Sequence, residues 1–121
     1  MLRLLVIAAI VVNVMFGLAV GSTRGAAFAY VGLPSPLPFY ADILAVFLVG
    51  TGLAFIPAVR NPQAYRFYLW IVGAGVKLVV ASMLLRVWIL GITPWSILIG
   101  VIVDGGIGAG FVYCLLKGRP N

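Results

Sequence analysis

Residues 100–110, GVIVDGGIGAG, set a carboxylate, Asp104, inside an apolar run that is otherwise long enough to cross a bilayer. A charged side chain at mid-membrane costs roughly 2.5 to 3.5 kcal/mol on insertion scales, so such a group faces protein or water and takes a partner. The other ionisable group lying comparably deep is Lys77. With a helix entering near Trp95, Asp104 lies about nine residues in, or ~14 Å at the helical rise of ~1.5 Å per residue. Counted from Arg66 at the opposite face, Lys77 lies about eleven residues in, or ~16 Å. Antiparallel neighbours across a hydrocarbon core of ~30 Å bring the two to one level, so the spacing predicts an intramembrane pair of Lys77 and Asp104.

Composition agrees with a membrane setting. Of 121 residues 64% are hydrophobic and 8% charged, too few charges for the polar skin of a soluble domain. The formal charge of +6 invites a nucleic-acid reading, but the basic residues stand singly beside hydrophobic ends, with no cluster or aromatic-interleaved basic face. Nucleic acid is therefore excluded as a partner. A single cysteine, Cys114, leaves no internal disulfide, although a palmitoylated Cys114 near the interface is compatible with the sequence. The absence of histidine removes the commonest metal ligand and general base, and no nucleophile and base pair is visible. The expectation is a non-enzymatic chain with no metal and no cofactor.

Four hydrophobic spans follow in order, at about 2–21, 40–57, 66–88 and 95–116. The first has the basic start of a signal peptide, yet its apolar run exceeds the usual length of such a segment, so it is expected to stay as a span. A connector from Ser22 to Phe39 carries Arg24 and then Pro34, Pro36 and Pro38, which favour an extended path along the membrane surface. Tyr30, Phe39 and Tyr40 suit an aromatic belt. Asp42 is read as an acid in the first turn of span 2, at the positive end of the helix dipole. In the turn RNPQAYR, Asn61 is expected to cap span 3 and Pro62 to be its first residue. Arg3, Arg60, Arg66, Lys117 and Arg119 fall on one side and Arg24 and Arg86 on the other, which places both termini in the cytoplasm by the positive-inside rule. The fold class is an all-α integral membrane protein, four helices in an antiparallel up-down bundle, spanning a bacterial inner or plasma membrane.

Three spans repeat one local pattern, a mid-span polar residue between small residues four positions away: Ala9, Asn13, Gly17; Gly73, Lys77, Ala81; Gly100, Asp104, Gly108. Small residues let helix backbones approach closely and hold the polar group against a neighbour. Thr51 falls at the same depth in span 2, about eleven residues or ~16 Å from Tyr40. An intramembrane polar layer of Asn13, Thr51, Lys77 and Asp104 is expected across the bundle. It reads either as glue between helices or as a proton or ion relay, with a polar ligand pocket as a third reading. Gly106, Gly108 and Gly110 spell GxGxG, but a nucleotide fingerprint needs a strand before it, and here the glycines sit within a span. Close helix packing, or contact with lipid tails, suits them better.

Residues 32–59, GLPSPLPFYADILAVFLVGTGLAFIPAV, after a first span that starts with an arginine, resemble the opening half of DoxX-like small four-helix membrane proteins. That resemblance implies a four-span bundle and an association with membrane redox enzymes. The glutamate that those proteins carry a turn before the glycines of span 2 is absent, with Val46 and Leu48 standing there, so no functional residue carries over. The second half, with Arg60, Asn61, Pro62, Lys77 and Asp104, resembles uncharacterised small bacterial four-span membrane proteins. Small multidrug transporters share the size, but their first-span glutamate is missing and Asn13 does not titrate in its place. So small a bundle makes its contacts within the bilayer. The expected partners are membrane lipid and either another membrane protein, as an accessory or scaffold subunit, or further copies of the chain. The alternative is a small oligomeric transporter or channel using Lys77 and Asp104.

Overall fold

The computed structural model describes residues 1–118, without the side chain of Val31; Arg119, one of the basic residues used for orientation, lies outside the described residues. It contains four helices long and apolar enough to cross a membrane: α1 (Leu2–Ser22), α2 (Pro38–Arg60), α3 (Arg66–Ile89) and α4 (Ile97–Lys117).

The close approaches fix the directions. Along the α1/α2 seam, a Cβ on Gly17 would meet Val49, one on Gly21 would meet Ala45, and one on Gly52 would meet Asn13, so one helix ascends as the other descends. Along α3/α4 the same order appears, with Gly73 against Phe111, Gly108 against Leu78 and Gly100 against Leu84. The α1/α2 and α3/α4 hairpins meet chiefly through α1 and α4, for instance where Gly110 receives Leu5. Arg3 Nη2 donates to the Arg60 carbonyl at 3.4 Å and Arg66 Nη2 donates to the Leu115 carbonyl. The N-terminus, the 61–65 turn and Gly118 therefore share one end of the bundle.

Several boundaries differ from the sequence reading, each for a local reason. Helix α2 begins two residues early because Pro38, with φ fixed near the helical value, serves as a first-turn residue. Asp42 is consequently beyond the first turn, and its Oδ2 lies 3.5 Å from Arg24 Nη2 instead of at the helix start. Near its far end α2 breaks at Phe55, where Pro57 supplies no N–H to Leu53 and its ring crowds that carbonyl; the helix then resumes to Arg60. Asn61 does not cap a helix at Pro62. Its Oδ1 accepts from the Ala64 amide at 3.2 Å, closing a turn that delays α3 to Arg66. Helix α4 starts at Ile97 after overlapping turns in which Ile97, Leu98 and Ile99 amides reach back to Pro94, Trp95 and Ser96.

The connector is not wholly extended. Thr23 Oγ1 donates to the Ala19 carbonyl at 2.7 Å and accepts from the Ala27 amide at 3.0 Å, stopping α1 and starting a short 3-10 helix, Ala26–Val31. Gly25 at φ 93° makes the corner between them, a conformation open to glycine and strained for most residues. Gly32, at φ 76°, closes the 3-10 helix, and a Cβ there would fall 2.3 Å from the Pro94 ring. The two loops at that end thus touch through a residue without a side chain.

Helix α3 holds a long π-helical segment, Leu69–Val76, directly before Lys77. π turns are rare and widen the helix; here the segment presents Gly73 as a bare surface to the Phe111 ring, whose carbons lie 3.0 to 3.2 Å from where a Cβ would stand.

Two hydrophobic clusters form. The larger, at the termini end, joins all four spans through Val6, Ala9, Phe55, Ala58, Leu69, Ala74, Ile107, Phe111 and Leu115. Phe55 stacks on Phe111 with centroids 6.1 Å apart and meets Tyr68 edge-on at 5.0 Å. The smaller, Val20, Ala41 and Ala45 with Phe28 beside them, belongs to α1, α2 and their connector.

Candidate functional site

Just above the larger cluster, each span contributes one polar side chain. On α1, Asn13 follows the buried Ala9 by one helical turn; on α3, Lys77 follows Ala74; on α4, Asp104 precedes Ile107; on α2, Thr51 precedes Phe55. The period that buries the apolar face also aims these groups inward.

Lys77 is the hub. Its Nζ donates to Asn13 Oδ1 at 2.6 Å and to Asp104 Oδ1 at 2.8 Å, with the lysine side chain 8% and the aspartate side chain 17% exposed. Asn13 Nδ2 in turn donates to Thr51 Oγ1 at 3.4 Å. The Thr51 hydroxyl donates to the Phe47 carbonyl one turn back at 2.7 Å, with the Leu48 carbonyl at 3.1 Å. The four residues expected to form a layer are therefore one connected chain of hydrogen bonds that links every span. Orientation matters here: the donors run from Lys77 through Asn13 to Thr51 and end on a backbone carbonyl. The Asn13 amide nitrogen has no free lone pair to take up a proton, so protons do not pass through it along this path. A charge-assisted bond to each neighbour uses two of the three ammonium donors of Lys77.

The small residues lie where the pattern requires close approach. Ala9 is fully buried in the larger cluster. A Cβ on Gly17 would lie 2.8 Å from Val49, one on Gly108 2.9 Å from Leu78 and one on Gly100 3.0 Å from Leu84, while Gly73 seats Phe111. Ala81 faces Gly105, whose Cβ position is 3.6 Å from that of the alanine.

Four residues were not singled out in the sequence as part of this layer. Gly52 lets Asn13 close on Thr51, a Cβ there standing 3.1 Å from Asn13 Cβ; its neighbour relation to Thr51 in VGTGL was the available signal. Tyr68 donates its hydroxyl to the Thr51 carbonyl at 3.2 Å and ties α3 to α2. Phe55 and Phe111 floor the polar layer, and nothing in an all-apolar run distinguishes them from their exposed neighbours.

Compared with known proteins, the chain matches no family model, no curated protein and no solved structure.

Proposed function

We propose that the chain is a non-enzymatic integral membrane protein, an accessory or scaffold subunit that binds other membrane proteins or lipid within the bilayer. The observation that carries this reading is the closure of the polar layer. Lys77 is held by both Asn13 and Asp104, and the chain of donors from Asn13 through Thr51 ends on the Phe47 carbonyl oxygen. A layer so arranged fixes the register of four helices and leaves contact with partners to the outside. That outside is apolar, with Leu4, Met15, Val46, Phe47, Phe67, Met83 and Ile102 all exposed on the spans. The bacterial inner membrane, with both termini in the cytoplasm, is the setting that the basic residues at the termini end favour. The DoxX-like resemblance of residues 32–59 points to membrane redox enzymes as the class of partner to look for first.

Purification of the full chain from native membranes in mild detergent tests this. A larger membrane protein retained in fixed stoichiometry is the expected result. A homo-oligomer that passes ions when reconstituted in liposomes would overturn it in favour of a small transporter or channel. One observation supports that second reading: among the described residues Asp104 Oδ2 accepts no hydrogen bond, and its side chain is the less buried of the pair.

A further inference from the structure

The two acidic side chains of the sequence are both spent away from the termini end. Asp42 faces Arg24 near the opposite end, and Asp104 faces Lys77 in the middle. At the termini end stand the Met1 amine, Arg3, Arg60, Arg66 and Lys117, with no acidic side chain among them. Two of these cations are engaged locally. Arg66 donates to the Leu115 carbonyl and to Gln63 Oε1, and Lys117 Nζ sits over the Tyr113 ring at 4.7 Å. Arg3 and Arg60 are different: both are exposed, and the single bond between them runs from the Arg3 guanidinium to the Arg60 carbonyl at 3.4 Å. That bond brings two cationic residues to one corner of the α1/α2 seam, with most of their N–H donors unspent among the described residues. Cations contributed by two adjacent helix ends, with no acidic side chain beside them, attract an anion more strongly than either alone.

We infer that the Arg3/Arg60 corner is a binding site for the headgroup of an anionic phospholipid. The occupant is a lipid, because the corner lies where α1 begins and α2 ends, the level at which a helix meets headgroups. Its flanks are apolar and exposed: Leu4, Ile7 and Ile56 present surface that acyl chains cover. One molecule with a phosphodiester and two acyl tails satisfies both. A zwitterionic lipid offers the same phosphate but carries its own cation, which offsets the attraction. The inference rests on the membrane-embedded reading above and is independent of whether a protein partner exists.

Native mass spectrometry of the full chain, released from nanodiscs of phosphatidylglycerol and phosphatidylcholine in equal parts, tests it. The wild type retains phosphatidylglycerol in preference to phosphatidylcholine. Each arginine near the surface contributes about fivefold to that preference, so R3Q/R60Q lowers it by roughly 25-fold. R3K/R60K, which keeps the charges, retains most of it and shows that the loss is not misfolding. R24Q, whose arginine already has Asp42, leaves it unchanged. A preference that survives R3Q/R60Q, or that falls equally in R24Q, overturns the assignment. So does retention abolished by millimolar inorganic phosphate, which would make the corner a site for free anion. Failure to find a protein partner would not touch any of these outcomes.

Discussion

Removing either member of the central pair strands the other, and the cost follows from its surroundings. Asp104→Leu leaves the Lys77 ammonium, 8% exposed, with Asn13 Oδ1 as its one remaining acceptor among the described residues. Breaking a buried ion pair by deleting one partner costs about 3 to 5 kcal/mol, and the surviving 2.6 Å bond to Asn13 puts this variant near the lower figure. Lys77→Met costs at least as much. It strands the carboxylate and also takes the donor from Asn13 Oδ1, an unmade buried hydrogen bond being worth about 1 to 3 kcal/mol. The double variant has no stranded charge, and only the Asn13 loss remains, so it should be destabilised by about 1 to 3 kcal/mol. The coupling between the two positions is therefore about 3 kcal/mol or more, the top of the range for residues in contact. Reversible unfolding of the four variants in bicelles by added denaturing detergent measures it, with the full chain in each case. Additive damage in the double variant would refute the pairing. Recovered stability alongside lost ion flux in liposomes would separate a relay from a structural lock.

Other substitutions probe the frame around the pair. Gly17→Ala places a Cβ 2.8 Å from Val49 and 3.0 Å from Leu48 in a packed seam and should cost about 1 to 3 kcal/mol, whereas Gly50→Ala, with nothing within 4 Å, should be neutral or stabilise by up to about 1 kcal/mol in the same unfolding assay. Phe55→Ala empties a fully buried site between Tyr68 and Phe111 and should cost about 3 to 5 kcal/mol. Asp42→Asn should change stability by less than about 1 kcal/mol, because its pairing with Arg24 at 3.5 Å is solvated on both sides. In a Cys114→Ser background, a cysteine at Ser35 should react with an impermeant maleimide added to whole cells and one at Gln63 should not; reaction at both positions would contradict the proposed orientation.

The number of spans and the level of the polar layer were legible because each rests on a strong, one-dimensional signal. Apolar length identifies a span, and a depth count places Lys77 opposite Asp104 whatever the details of packing. Terminal boundaries were less legible. Pro38 could end an extended connector or open a helix, and Asn61 could cap a helix or close a turn, since the same residue types serve both. The π segment of Leu69–Val76 left no trace, because its signature is a hydrogen-bond register and its residues are those of any apolar span. The position of Lys77 nonetheless came out as expected, since the four-residue spacing to Ala81 is read on the α-helical side of that segment. What escaped the depth count was direction: that Lys77 would also hold Asn13, and that Tyr68 would reach inward to Thr51, depend on side-chain aim and not on height.

Chain order gives the two-acceptor arrangement around Lys77 a temporal side. Asp104 is synthesised 27 residues after Lys77, so during translation the lysine leaves the ribosome, and is offered to the membrane, while its counter-ion is still inside the exit tunnel. Asn13 is made 64 residues before Lys77 and belongs to the hairpin already finished. A neutral amide acceptor waiting on the first helix gives the ammonium a berth during that interval, and the carboxylate arrives to a lysine already in place. In the mature bundle Asn13 is one of two acceptors; in the nascent chain it is the one that comes first.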